Sequence, residues 1–198
     1  MREISLHLLD IAENSVAANS KKIQIRVVED LRTDRLAASV TDDGKGMDEE
    51  MVASIIDPFV TTRTTRKVGL GIPLFKAAAE ICNGDLKIIS SPGKGTHLEV
   101  EFQRSHIDRM PLGDLAGTFY TLLVAHPDIH WVFEYVAIPA GKQEPVKFIF
   151  DDDQVKEALA GVSITEPGVL SYLREWIEDG IAEVQNHLNS VSVKRNKP

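Results

Sequence analysis

The chain has 198 residues, 22 Lys+Arg against 30 Asp+Glu, a formal net charge of −8 and a single cysteine. That length suits one ordinary domain or a small domain with a substantial appendage, and one cysteine excludes an intramolecular disulfide or a cysteine-based zinc cage. No apolar run approaches the roughly 20 residues that cross a bilayer, Met1-Arg2-Glu3-Ile4-Ser5 lacks a signal-peptide stretch, and an acidic total argues against a nucleic-acid binder, so the expectation is a cytoplasmic protein with no membrane anchor.

The charge is uneven. Residues 1–104 hold 14 basic and 16 acidic residues, and residues 105–198 hold 8 and 14. The first part is the place to look for an anionic ligand. The expected organisation is a ligand-binding domain over 1–104 and an acidic α/β extension of unknown role over 105–198.

Residues 2–19 read as a helix. At 100° per residue Ile4, Leu8, Leu9, Ile11, Ala12 and Val16 gather on one side, and Glu3, His7, Asp10, Glu13 and Asn14 on the other. Alternation predicts strands over 22–29 and 35–41, joined as a hairpin by a short polar connection. Asp42-Asp43-Gly44-Lys45-Gly46-Met47 is a turn, and Asp48 is placed to cap a short helix to about residue 56. Residues 57–68 read as a loop dense in Thr, Arg and Lys. Gly69-Leu70-Gly71 leads into a helix over 73–83, with Gly84 as its stop. Strands follow at 86–90 and 97–102. Beyond residue 105 come a helix over 111–125, a hairpin of 129–138 with 145–150, and helices over 151–160 and 167–189. The tail from Val191 is basic and expected to fray.

Three separated patches combine into one candidate site. A helix N-terminus after Gly69-Leu70-Gly71 offers unpaired N–H groups to a polyphosphate, and glycines let backbone come close. A buried carboxylate at a strand end, Asp42, can accept from an exocyclic amine and read a purine. Asn14 offers an amide oxygen to Mg²⁺, and Asp10, one turn earlier, can orient a nucleophile or take its proton. Taken singly, the Asp-x-Gly-x-Gly motif reads as an ordinary turn and the Asp10, Glu13, Asn14 patch as a solvated helix face. Their order and spacing shift the reading toward function.

In that order the chain resembles the GHKL superfamily of Bergerat-fold ATP-binding proteins, nearest to histidine kinase catalytic domains and anti-sigma-factor serine kinases. Leu9-Asp10-Ile11-Ala12-Glu13-Asn14-Ser15 resembles the N box and Asp42 to Met47 the G1 box. Asp57-Pro58-Phe59-Val60-Thr61-Thr62-Arg63 resembles the F-box region, Val68 to Ile72 the G2 box, and Gly93-Lys94-Gly95-Thr96 the closing Gly-x-Gly-Thr. The resemblance covers about residues 2–104. It implies an α/β two-layer sandwich, a mixed, mostly antiparallel sheet with helices on one face, holding ATP and Mg²⁺. It implies Asn14 as the Mg²⁺ ligand, Asp42 as the adenine reader, and Gly44, Gly46 and Met47 as pocket lining. Thr96 would hold the adenine end. Residues 60–68 would be the lid, with Arg63, Arg66 and Lys67 near the γ-phosphate or simply solvated, and Gly69, Leu70 and Gly71 at the phosphates.

Asp10 stands where the ATPase branches carry a longer glutamate, and Lys67 where many relatives have a glycine. The chain starts almost at the N box, so the expectation is no phosphoacceptor histidine in cis. Two functions follow. One is a kinase-like phosphotransferase or slow ATPase acting on a partner protein in signalling. The other is a regulatory module whose nucleotide occupancy changes partner affinity with little or no turnover. In the extension, Asp151-Asp152-Asp153 reads as a helix N-terminus, with a cation site as the lesser reading. Trp131, Phe133 and Tyr135 read as core, Cys82 as buried filler. The stripe of Leu173, Trp176, Ile177 and Ile181 packs on this chain or on a twin.

Overall fold

Alternation of apolar residues gives every strand a wet and a dry side. In β1 (Lys22–Asp30) Ile23, Ile25 and Val27 are buried, and in β2 (Arg35–Asp42) Leu36, Ala38 and Val40. In β3 (Asp85–Ser90) and β4 (Thr96–Gln103) the buried set is Leu86, Leu98, Val100 and Phe102. In a computed structural model, which describes residues 3–56, 71–141, 144–160, 162 and 164–193, these strands join one six-stranded sheet of order β3-β4-β2-β1-β5-β6. The last two are β5 (His130–Ile138) and β6 (Val146–Asp151).

All neighbours are antiparallel except β1 and β5. A parallel partner needs a crossover. The segment from β4 to β5 supplies it, carrying α4 (Leu115–Ala125) back over the sheet to reach the far side of β1. The extension therefore continues the sheet of the first half, pairing from Lys22↔His130 to Asp30↔Ile138. Trp131, Phe133, Tyr135 and Phe150 carry the same dry face outward, and all are essentially inaccessible.

The helices α1 (Ile4–Ala17), α3 (Gly71–Ile81), α4 and α6 (Pro167–Val193) cover that face, so the two-layer arrangement expected for the chain is the one it adopts. The other face is mixed, carrying Val28, Ile89, Val132 and Ile149 among charged and polar residues. It includes Arg26 and Glu134, side by side in register and paired at 2.7 Å. The short α2 (Glu49–Ile56) is capped as expected, with Asp48 Oδ1 accepting from Met51 N at 2.8 Å.

Several local expectations shift. His7 is not on a solvated face: it is buried and stacks flat on Phe75 of α3, ring centroids 4.2 Å apart and 4° from parallel. Because α3 also packs on α1, the helix hides a wider arc than its aliphatic stripe. Burial lowers the His7 pKa from 6.5 to about 4, with Asp10 pulling the other way. Helix α3 ends at Ile81, and the left-handed residue after it is Asn83, φ 54°, not Gly84. Gly84 serves a close approach instead, since a Cβ there would lie 1.7 Å from Glu101 O. Helix α4 starts at Leu115, because Asp114 caps it by accepting from Gly117 N at 2.8 Å. The segment before it satisfies the start of α1: Ile4 N donates to Pro111 O and Ser5 N to Leu112 O.

A buried polar link also stitches the extension to the first half. Glu29 of β1, 5% exposed, accepts from Tyr135 Oη at 2.6 Å and from Arg104 Nε at 2.7 Å. Burial and then the Glu29 charge push the phenol well above its ordinary pKa. Cys82 is buried, and burial raises its thiol pKa, as suits inert filler. Among the described residues no helix is long and apolar enough to cross a membrane.

Candidate functional site

Asp42 is the last residue of β2, half-buried rather than fully buried as expected, and facing the helices. Its carboxylate is held from three directions. Ser15 Oγ donates to Oδ2 at 2.6 Å, Gly44 N to Oδ1 at 2.8 Å, and Ser20 Oγ lies 3.1 Å from Oδ1. Ser20 Oγ also lies 2.7 Å from Ser15 O, so its single proton is divided between two acceptors. A carboxylate has about four lone-pair positions. With these donors in place Oδ2 still keeps one for an incoming amine.

The turn after Asp42 is built backbone against backbone. Gly46 has φ 63° and Gly95 has φ 79°, both left-handed. A Cβ at Gly46 would lie 1.9 Å from Ser91 O, and one at Gly95 would lie 1.9 Å from Asp42 O. Only glycine fits either place. Gly93 N donates to Lys45 O at 2.7 Å. Ser90 Oγ accepts from Met47 N at 2.8 Å, donates to Gly95 O at 2.9 Å and touches Thr96 Oγ1 at 3.0 Å. Thr96 is the direct cross-strand partner of Asp42. Asp42, Gly44, Gly46, Met47 and Thr96 therefore share one corner of the sheet, though Met47 and Thr96 are more than 40 residues apart in the sequence.

Helix α1 meets this corner through Ser15, which is buried. The next residue back, Asn14, is exposed, and its Nδ2 donates to Asp10 O at 2.8 Å, leaving the amide oxygen to serve as a ligand. Asp10 and Glu13 are exposed on the same side. Glu13 pairs with His126, at the end of α4, at 3.1 Å. Asp43 is structural, its Oδ1 accepting from Lys21 N and Lys22 N. Gly71 opens α3. Arg63, Arg66, Lys67, Gly69 and Leu70 lie outside the described residues, as does the segment resembling the F box.

Three contributors are not marked as site residues by the sequence. Ser15 is inside the N-box stretch, but nothing local says its hydroxyl meets a residue 27 positions later. Ser20 and Ser90 are ordinary small polar residues until the sheet forms.

The acidic run of the extension forms a second polar cluster. His130, Asp152 and Asp153 present ligand atoms within 4.8 Å of one another. Asp152 is fully buried, yet already held by Trp131 N at 2.9 Å and the Lys156 ammonium at 2.8 Å. Burial raises its pKa against those pulls. Asp151 caps α5 (Asp152–Ala158) by accepting from Asp153 N. A cation there must displace Lys156, so the helix-start reading accounts for the cluster.

Residues 2–106 match the family described as histidine kinase-, DNA gyrase B-, and HSP90-like ATPase. The chain belongs to this family. Within it, similarity runs to sensor kinases. The sensor protein kinase FleS of Pseudomonas aeruginosa is 39% identical over 89 residues, 45% of this chain and 22% of that protein. The signal transduction histidine-protein kinase AtoS of Escherichia coli is 36% identical over 89 residues, 44% of this chain and 14% of that protein. This chain thus spans less than a quarter of these relatives. Among solved structures, the Aquifex aeolicus MutL ATPase domain complexed with ADP is similar, with TM-score 0.45 and 13% identity over 81% of this chain and 70% of that one.

Proposed function

We propose that the chain binds ATP with Mg²⁺ at the corner between α1, the β2 end and the β3–β4 turn, and passes the γ-phosphoryl group to a partner protein in signalling. The observation that carries this reading is Asp42, fixed by Ser15, Ser20 and Gly44 beside Thr96 with an acceptor position left over.

In this reading Asp42 accepts from the adenine amine and Thr96 closes the pocket beside it. Gly44, Gly46 and Met47 let the base lie against backbone. Asn14 offers its amide oxygen to Mg²⁺, which supplies charge neutralisation at the phosphates when bound. The first turn of α3, from Gly71, offers N–H groups to the phosphates; Gly69, Leu70, Arg63, Arg66 and Lys67, outside the described residues, are assigned to phosphate contact by the resemblance alone. Asp10 holds or takes the proton of the attacking group.

The shorter Asp10 favours the second reading, a nucleotide-dependent regulatory module with little or no turnover. Both predict ATP binding, and one experiment separates them. Purified protein is titrated with ATP and Mg²⁺ by calorimetry, then incubated with γ-labelled ATP. Binding that weakens in EDTA and in Asn14→Ala, with phosphate release abolished by Asp10→Asn, supports the enzyme. Binding with no release, alone or with a candidate partner, supports the module. No binding at all overturns both.

A further inference from the structure

Away from the nucleotide corner, α5 and the first turns of α6 part around an apolar groove of about 430 Å³. Val155 and Leu159 line one side, Val169 and Leu173 the other, with Tyr172 and Trp176 at the mouth. Leu173 is fully buried, while Tyr172 is 64% and Trp176 37% exposed. Trp176 is braced from behind by Phe150 at 5.2 Å and Phe148 at 6.2 Å between ring centroids, so its open surface is held in one place. Two aromatic rings standing open beside an apolar hollow are an unusual use of core-forming side chains.

We propose that this groove docks an amphipathic helix of a partner protein, with one or two bulky apolar side chains seated between Tyr172 and Trp176 and basic residues along its flanks. The charge selects the occupant. Residues 151–183 carry nine acids and two bases. Both bases are engaged, Lys156 with Asp152 and Arg174 with Glu178, each at 2.8 Å. At 100° per residue Glu175, Asp179 and Glu183 fall on the side of α6 that carries Tyr172 and Trp176, and all three are exposed. An acidic flank of α6 running out from an apolar trough is complementary to a helix with a basic border. A second copy meeting groove to groove would set the same acids against each other, which disfavours self-association here. The inference does not depend on the nucleotide reading, since it uses only α5, α6 and the β6 rings behind Trp176.

The test uses the full chain and three synthetic 18-residue peptides: a Leu/Lys amphipathic helix, its Leu/Glu counterpart, and a Lys/Ser peptide of matched charge. Binding is followed by calorimetry and tryptophan emission, which reports on Trp176 because Trp131 is fully buried. The Leu/Lys helix should bind saturably at one per chain with a blue shift, and the other two at least about tenfold more weakly. Tyr172→Asp, at an exposed position that tolerates it, should weaken the Leu/Lys helix about tenfold or more. The triple change Glu175→Lys, Asp179→Lys, Glu183→Lys should do the same. Glu99→Lys with Glu101→Lys, on β4 away from the groove, should leave it within about twofold. Equal binding of the Lys/Ser peptide, or wild-type affinity in the groove variants, overturns the proposal. So does concentration-dependent dimerisation that Tyr172→Asp abolishes, since the occupant would then be a second copy.

Discussion

Asp42→Asn tests the nucleotide site with the least disturbance to the fold. The asparagine is isosteric with the aspartate. With its oxygen at the Oδ1 position it keeps the bond from Gly44 N, now at 2.8 Å. Its NH₂ then faces Ser15 Oγ, now 2.6 Å from Oδ2, and that hydroxyl can rotate to accept instead of donate. The corner stays satisfied. What changes is the open position: an acceptor for the adenine amine becomes a donor facing a donor. Hydrogen bonds to a charged group contribute about 1.5–3 kcal/mol. The expected loss of ATP affinity is therefore about 10- to 150-fold, with little change in melting temperature. A second nucleotide sharpens the test. Inosine triphosphate carries an acceptor where ATP carries the amine, so the Asp42→Asn protein should bind it better than the wild type does, narrowing or reversing the preference. Calorimetry with both nucleotides on both proteins gives four affinities. ATP affinity within about threefold of wild type in a folded Asp42→Asn protein refutes adenine recognition here.

Four other outcomes follow from the structure. His7 has a folded-state pKa depressed from 6.5 to about 4, so its neutral burial contributes fully above pH 6.5 and is lost as pH falls toward 4. The total is about 3 kcal/mol. Urea midpoints at pH 7 and 4.5 should show this fall, and His7→Phe, which keeps the stack on Phe75, should flatten it. Gly95→Ala drives a Cβ to 1.9 Å from Asp42 O and should cost more than about 2 kcal/mol together with ATP affinity, whereas Gly93→Ala has φ 75° but open space and should cost about 1. Tyr135→Phe removes the donor from buried Glu29 and should cost about 1–3 kcal/mol in thermal unfolding. Heating the wild-type chain should give one calorimetric transition, because β1 and β5 share a ladder across the boundary at residue 104; two separated transitions would contradict that coupling.

Local pattern and long-range pairing differ in how legible they are. The strands of the first half are readable because Ile23, Ile25 and Val27, or Leu98, Val100 and Phe102, alternate with polar residues, and a one-residue slip would turn them all to water. The turn glycines are readable because left-handed backbone at Gly46 and Gly95 admits little else. Nothing local announces that β5 lies parallel to β1, since a crossover partner is chosen by the route of α4 and by which edge remains open. His7 looks solvent-facing in the sequence because its neighbours in the helical projection are Glu3, Asp10 and Asn14. Phe75, which buries it, is 68 positions away. Ser15 and Ser20 are silent for a similar reason. A hydroxyl acquires its role from the carboxylate brought to it, and Asp42 reaches them only once β2 is paired beside β1.

The same pairing determines how the two halves can work together. Had the extension been joined by a flexible tether, a partner held on α5 and α6 would sample a cloud of positions around the nucleotide corner. Here the chain instead runs from Asp42 through β2 and β1 to β5 by unbroken ladders, and the Tyr135, Glu29 and Arg104 link closes the seam on the buried side. On the helix layer, His126 at the end of α4 reaches Glu13, the neighbour of Asn14. If both proposals hold, a partner docked in the acidic groove is presented to the nucleotide corner at one distance and one orientation. That arrangement suits transfer to, or control of, a single partner of defined length.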